Sequence, residues 1–167
     1  MLTGSFVSTF YGDPRTTRDL DLVIKADEPP GEAVQRFVEL CLLDGFYVSE
    51  ESALGPLSTG RRQFNVISST TGWKADIMWL TDRPFSRSEF DRRTTLSLLG
   101  IEVLVPTPED LVLAKLEWGG SAESRQFEDA VSVVRITGTN FDFTYARKWA
   151  SDLGITDLFE RAVAAAS

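Results

Sequence analysis

The sequence predicts an α+β protein in which a mixed β-sheet flanked by helices is followed by a C-terminal helical bundle. Two observations support this fold class. Strand-like alternating segments are interleaved with helical segments up to about residue 105. Beyond Pro106, apolar residues recur only at helical spacing, in four successive segments. We therefore expect an α/β part at residues 1–105 and a helical part at residues 106–167.

Local patterns predict the elements of the first part in chain order. Ser5 is a candidate N-cap for a short helix that contains Phe6, Val7 and Phe10. "DLDLVIK" alternates as a strand does. The remaining predictions are a helix at about 32–43, a β-hairpin with strands near 63–68 and 73–80, a short polar helix in "PFSRSEFDRR", and either two strands or one bent strand in "TTLSLLGIEVLVPT", with Gly100 at the break.

The second part starts with the clearest helix signal in the chain. Thr107 is a candidate N-cap, and Pro108 would occupy the first helical position. Glu109 and Asp110 would lie in the first turn, where the positive end of the helix dipole stabilises negative charge. Three further helices are predicted at about 122–136, 142–153 and 156–166.

Composition excludes several kinds of chemistry. The 167 residues include no histidine, which removes His general bases, Ser-His-Asp triads and His-ligated zinc. Any bound metal would therefore have oxygen ligands, which favours Mg²⁺, Mn²⁺ or Ca²⁺. A net charge of −8 disfavours tight, non-specific binding to nucleic acid, although it allows a local basic pocket for a phosphorylated ligand.

Two features indicate a cytoplasmic protein. No apolar run approaches the roughly 20 residues of a membrane-spanning helix, and no secretory signal is visible. The lone Cys41 excludes an internal disulfide and is compatible with a reducing cytosol. We interpret this cysteine as a small core residue and expect no membrane association.

Three aspartates occupy strand positions where their charge needs a partner. Asp19 and Asp21 alternate with leucines, so both carboxylates project from one face of the strand. Asp76 is the only charged residue in the apolar segment "ADIMWL". Three carboxylates on neighbouring strands would need a divalent cation, and Mg²⁺ is usually held by carboxylates together with substrate phosphates. The alternative is that these aspartates lie on an ordinary solvent-facing strand surface.

Gly4 and Ser5 precede the first predicted helix. A glycine allows close backbone approach, and free N–H groups at a helix start bind anions, so this turn is a candidate phosphate site. The alternative is a plain helix cap.

The order of these features resembles the DNA-polymerase-β-type nucleotidyltransferase superfamily. The shared pattern is Gly4-Ser5, a spacer, Asp19-Leu20-Asp21-Leu22, and a distant lone Asp76. "YGDPRTTRDLDLVI" looks most like the small stand-alone bacterial and archaeal members, which include minimal nucleotidyltransferases and the AbiEii-like toxins. Relatives usually carry a helix and a strand before the Gly-Ser turn. Only Met1 to Thr3 precede it here, so either the first strand is very short or the start lies upstream.

The resemblance implies a nucleotidyltransferase-like sheet and a set of roles. Asp19, Asp21 and Asp76 would bind Mg²⁺ (or Mn²⁺), and Asp76 would also accept a proton from the acceptor hydroxyl. Gly4 and Ser5 would bind phosphate. Lys115 would bind the nucleotide phosphates too, although a lysine among apolar residues can instead extend to solvent.

The resemblance also gives roles to residues outside the acid cluster. Arg125 would make a phosphate contact, the alternative being an intrahelical ion pair with Asp129. Three further interpretations come from the residues and not from the resemblance. Arg15 could contact the nucleotide or lie in a solvated loop, Lys74 shares a strand face with Asp76 and could pair with it, and Trp118 is a candidate for base stacking.

The implied activity is transfer of a nucleoside monophosphate from an NTP to an acceptor hydroxyl on a protein, a tRNA or a small molecule. The resemblance to AbiEii-like toxins also implies a possible cognate antitoxin. Two alternatives stay open: a catalytically silent binding module with the same fold, and an antibiotic nucleotidyltransferase.

Overall fold

The computed structural model describes residues 1–25, 32–54, 63–98 and 100–167, and its centre is a five-stranded mixed sheet. The strands are β1 (Leu2–Thr3), β2 (Asp19–Ile24), β3 (Phe46–Val48), β4 (Gln63–Ser68) and β5 (Lys74–Trp79). Their order across the sheet is β1-β2-β5-β4-β3. The central strands β2 and β5 run parallel, and every other neighbouring pair is antiparallel.

A separate two-stranded sheet follows. It consists of β6 (Thr94–Leu98) and β7 (Ile101–Val105), which pair antiparallel. For the segment "TTLSLLGIEVLVPT" the sequence allowed either two strands or one bent strand, and this pairing confirms two strands. Gly100 has a φ of +81°, a conformation that L side chains rarely adopt, so a glycine suits the reversal between them.

Helices flank the sheet and make up the C-terminal part, which confirms the predicted fold class. They are α1 (Gly4–Tyr11), α2 (Glu32–Leu43), α3 (Glu50–Leu54), α4 (Pro84–Asp91), α5 (Pro108–Gly119), α6 (Arg125–Thr137), α7 (Phe143–Asp152) and α8 (Thr156–Ala166). Sequence patterns predicted each of these except α3, and they also missed the short strand β3. Across the described residues, no helix combines the length and apolarity needed to cross a membrane.

The start of α5 matches its predicted signal. The Thr107 side chain accepts a hydrogen bond from the Asp110 backbone N–H, Pro108 opens the helix, and Gly120 ends it in the left-handed region. The start of α1 differs from the prediction, because the helix begins at Gly4 and Thr3 occupies the N-cap position without a side-chain hydrogen bond. The prediction of Ser5 as N-cap is therefore wrong: Ser5 lies in the first turn, where its hydroxyl has another partner.

Two hydrophobic clusters form the core. The first joins α1, β1 and the two-stranded sheet to the C-terminal helices, and its members include Val7, Phe85, Val105, Leu113 and Phe159. The second packs α2 and α3 against the central sheet, and its buried residues are Val34, Val38, Val48, Ala53, Phe64, Val66, Ile77 and Trp79. Cys41 is partly buried against this second cluster, as expected.

Candidate functional site

Two of the three predicted aspartates are direct neighbours on the central parallel strands. Asp21 on β2 is in register with Asp76 on β5. Because neighbouring strands lie about 4.8 Å apart and registered side chains share a face, both carboxylates project from the same place on the sheet. Asp19, two residues earlier, is on this face too, but its side chain is 54% exposed.

Lys74 lies beside the aspartates and pairs with Asp76, as the sequence predicts. Its Nζ is 2.9 Å from Asp76 Oδ2 and 4.0 Å from Asp19 Oδ1. The hydrogen bond to Asp76 raises the pKa of Lys74, so the ammonium stays charged. The second oxygen, Asp76 Oδ1, is buried and has no hydrogen-bond partner among the described residues.

Asp21 lies in a partly buried environment with other negative charges nearby. Burial raises the pKa of its carboxyl, and the charge of Asp76 raises it further. A hydrogen bond from the Ser5 backbone N–H acts in the opposite direction but does not cancel the increase. Like charges on one face disfavour ionisation unless a cation lies between them, so this pair of carboxylates is suited to a positive ligand.

The aspartates alone do not form a complete metal site. Within the described ranges, no three Asp, Glu or Cys side chains converge closely enough to hold an ion. Asp76 is turned toward Lys74, and Asp19 faces solvent. Mg²⁺, however, usually binds one or two protein carboxylates and takes its other ligands from water and substrate phosphates. Asp21 and the unpartnered oxygen of Asp76 fit that kind of partial site.

The Gly4–Ser5 turn lies against Asp21. Thr3 is the β-sheet partner of Asp21, so the chain passes directly from that pair into α1. A Cβ added to Gly4 would lie 1.9 Å from Asp21 Oδ2, which leaves room only for glycine. The φ of Gly4 is +69°, which also favours glycine. The turn therefore places backbone N–H groups of the α1 start next to the carboxylate pair.

Lys115 faces the cleft from α5 and is held by an ion-pair network. Its Nζ donates to Asp129 Oδ2 at 2.7 Å and to Gln126 Oε1 at 2.8 Å. Lys115 is only 3% exposed, so its side chain does not extend to solvent. Burial lowers its pKa, which the ion pair with Asp129 partly offsets.

Arg15 joins the same network from the loop before β2. Its guanidinium donates to Asp129 Oδ2 at 2.9 Å and to the Ser5 hydroxyl. Burial alone would raise the pKa of Asp129, but its bonds to Lys115 and Arg15 outweigh that effect and keep the pKa low. The network thus ties the Gly4–Ser5 turn to α5 and α6.

Arg125 is not part of this arrangement. It is exposed at the start of α6, and its side chain makes no hydrogen bond, ion pair or cation–π contact among the residues the structure describes. Asp129 is 8% exposed, and its carboxylate pairs with Lys115 of α5 and with Arg15 of the loop before β2. The intrahelical pair between Arg125 and Asp129 is therefore not formed. Sequence spacing identified Asp129 but not its partners, since these come from 14 and 114 residues away.

The carboxylate pair, the Gly4–Ser5 turn and Lys115 face a cleft of about 570 Å³ between the sheet and α5. This volume is within the usual range of small-molecule sites. Asp21, Asp76, Gly4, Ser5 and Lys115 line one region of it. Val23 and Met78, two residues beyond the aspartates on their strands, line the cleft with apolar side chains.

The remaining wall contains three charged residues that sequence reasoning missed. Arg83, which precedes α4, makes two hydrogen bonds to Glu117 of α5, at 2.6 and 2.5 Å. Glu89 of α4 is close to Asp110, Arg83 and Glu117, and burial raises its pKa to about 8. Glu89 and Glu117 lie in ordinary charged helical patterns and Arg83 lies in a loop, so no local pattern marks them, and their association depends on how α4 lies relative to α5.

Comparison with known proteins supports the fold. No family model matches the sequence, and no curated protein matches it significantly. A solved structure, of an antigenic nucleotidyltransferase-like protein from Paracoccidioides brasiliensis, is similar with a TM-score of 0.56 and 18% sequence identity. The match covers 98% of this chain and 83% of that one. The chain therefore has a nucleotidyltransferase-like fold.

Proposed function

We propose that this chain is a metal-dependent nucleotidyltransferase that moves a nucleoside monophosphate from an NTP to an acceptor hydroxyl. The observation that carries this proposal is the registered pair Asp21 and Asp76, whose negative charge is only partly compensated, at a cleft that also holds Lys115 and the Gly4–Ser5 turn. A nucleotidyltransferase-like fold is consistent with it.

Each residue has a role that follows from its position. The backbone N–H groups at the start of α1 and the ammonium of Lys115 would bind the triphosphate from two sides of the cleft. Lys115 uses two of its three N–H donors on Asp129 and Gln126, so one remains for a phosphate oxygen. Arg15 would act through Ser5 and Asp129, which it holds in place.

Asp21 and Asp76 would hold Mg²⁺ (or Mn²⁺), with Asp19 joining them by a change of side-chain rotamer. The ion would neutralise phosphate charge and stabilise the leaving oxygen. In the transfer, the acceptor oxygen bonds to the α-phosphorus, the bond from that phosphorus to the β-phosphate oxygen breaks, and pyrophosphate leaves. The Asp76 carboxylate would accept the hydroxyl proton, as the resemblance implies.

A second candidate is a nucleotidyltransferase-like binding module without turnover. The observation that favours it is the Lys74–Asp76 ion pair, because that lysine already supplies a positive charge where an ion would bind. In the enzyme, Lys74 must move away from Asp76 when metal binds. The AbiEii-like subgroup, an antitoxin partner, antibiotic modification and the acceptor class stay predictions from the resemblance.

The test is to incubate the chain with Mg²⁺, a cell lysate and each α-labelled NTP in turn, then to separate protein, RNA and small molecules. We expect one fraction to become labelled, and the labelled fraction identifies the acceptor class. The double variant Asp19→Asn/Asp21→Asn should abolish labelling while it remains folded. The control Asp157→Asn removes an exposed carboxylate on α8 and should leave labelling unchanged. Labelling that survives in the double variant would refute the assignment.

A further inference from the structure

Trp118 is among the most exposed large apolar side chains of the described residues, at 80%. Two other tryptophans are packed by aromatic neighbours, Trp79 against Phe64 and Trp149 against Phe85. No ring contact or cation–π contact of Trp118 occurs in the described part of the chain. Single exposed apolar residues are common on protein surfaces, so exposure alone proves nothing; the location of this residue gives it meaning.

Trp118 lies at the edge of the candidate active-site cleft. It shares a face of α5 with Leu111, Ala114 and Lys115, and all four line the cleft. Three residues of helix correspond to about 4.5 Å along the axis, so Trp118 follows Lys115 by slightly less than one helical turn. Most other residues of this helix are buried, so Trp118 is its main exposed side chain at the cleft.

The helix end that carries Trp118 is also held tightly. A Cβ added to the next residue, Gly119, would lie 2.6 Å from Ser124 Oγ and 2.9 Å from Gln126 Cβ. The start of α6 therefore packs directly on the end of α5, and Gln126 is itself bonded to Lys115. An exposed aromatic ring on a rigid support, close to the lysine proposed to bind phosphate, is a suitable surface for a planar ligand.

From this placement we infer that the Trp118 indole is the stacking surface for the base of the bound nucleotide. The inference rests on the proposed function, because Lys115 and the Gly4–Ser5 turn must hold the phosphates for the base to reach this ring. Stacking uses the π-face that every base has, so it adds affinity with little discrimination among bases. Purines should bind more tightly than pyrimidines because their rings cover more of the indole.

The test compares nucleotides with a ligand that has phosphates and no base. Binding of each of the four NTPs and of inorganic tripolyphosphate is measured by calorimetry in Mg²⁺ for the full chain and its variants. We expect Trp118→Ala to weaken NTP binding roughly ten- to hundred-fold and to leave tripolyphosphate binding unchanged. Trp118→Phe should retain most of the affinity. The matched control is Trp73→Ala, which removes the half-exposed tryptophan beside the β4–β5 turn.

A second measurement follows the indole directly. Quenching of tryptophan fluorescence by an NTP should be present in Trp73→Phe and largely lost in Trp118→Phe. The inference is overturned if Trp118→Ala binds NTPs as the parent does, if it loses tripolyphosphate equally, or if quenching persists in Trp118→Phe. Absence of both NTP and tripolyphosphate binding in the parent chain would overturn the proposed function as well.

Discussion

Glu89 is the cleft residue whose charge state is most sensitive to its surroundings. It is partly buried, Asp110 and Glu117 repel its charged form, and the neighbouring Arg83 is already engaged by Glu117. Burial is the largest of these effects, and together they raise its pKa from 4.5 to about 8. Ionisation of this carboxyl therefore costs more in the folded chain than in the unfolded one.

The consequence is a pH-dependent loss of stability. Because the pKa of Glu89 is higher in the folded state, its contribution to the free energy of unfolding is fully present below about pH 4.5. That contribution is lost as the pH rises toward about 8. Glu89→Gln removes this loss. Relative to the parent, the free energy of unfolding of the variant should increase by on the order of 3 kcal/mol between pH 4.5 and pH 8.5. Urea unfolding at the two pH values measures the gain.

The control for Glu89→Gln is Glu102→Gln, at an exposed position on β7. Its free-energy difference from the parent should stay nearly constant with pH. If the difference in free energy of unfolding between Glu89→Gln and the parent does not change with pH either, the pKa of Glu89 is not raised in the folded chain.

Individual residues show where sequence reasoning succeeds and where it stops. Asp21 and Asp76 were identified because a charge in an apolar strand breaks a local pattern. Glu89 broke no pattern, since a glutamate in a polar helix is ordinary. Asp129 was noticed, but its partners Lys115 and Arg15 could not be found, because an ion pair between distant segments leaves no spacing signal.

At the scale of single elements, the turn from β1 into α1 is the most constrained segment of the site. Gly4 combines a positive φ with contact against Asp21, and these two requirements can be separated by experiment. Gly72, in the turn between β4 and β5, has a similar φ of +72°, and a Cβ added there would meet no atom within 4 Å. It supplies a matched control for the backbone conformation alone.

Gly4→Ala should therefore lower the free energy of unfolding more than Gly72→Ala does. The second change is expected to cost about 1 kcal/mol, the penalty for alanine in the left-handed region. The first should cost about 2 kcal/mol more because its Cβ displaces the Asp21 carboxylate. Urea unfolding measures both costs, and Mg²⁺-dependent NTP binding should be lost only in Gly4→Ala. Equal effects of the two changes would mean that close packing of Gly4 on Asp21 has no importance.

Element prediction succeeded where patterns were long. The helix at 32–43 and the hairpin strands were predicted nearly to the residue because periodicity extended over six or more positions. Strands β1 and β3 have two and three residues, too few for alternation to be distinguished from chance. The N-cap error at Ser5 has a related cause: Thr3 and Ser5 are both good caps, and pairing of β1 with β2 decided between them.

At the scale of the whole molecule, the first hydrophobic cluster crosses the predicted boundary at residue 105. Val7, Phe85 and Val105 from the first part pack with Leu113 and Phe159 from the second. The division into residues 1–105 and 106–167 stays a prediction, but the two parts share one core. This shared packing places Lys115 of α5 opposite the carboxylates of the sheet.

The site therefore depends on both parts at once. The sheet supplies the carboxylates Asp21 and Asp76, whereas α5 and α6 supply Lys115 and its support Asp129. Sequence patterns predicted both groups of elements, but no pattern could give the angle at which α5 crosses the sheet. The placement of α5 comes from side-chain packing in the shared core.

The most direct test of the central claim is calorimetric titration of the full chain with a non-hydrolysable NTP, with Mg²⁺ and with EDTA. The carboxylate pair is proposed to bind nucleotide only through a divalent ion, so binding should require Mg²⁺. Asp21→Asn should weaken binding at least about ten-fold, and the exposed-site control Asp157→Asn should bind as the parent does. Equal binding in EDTA, or parental affinity in Asp21→Asn, would contradict the account.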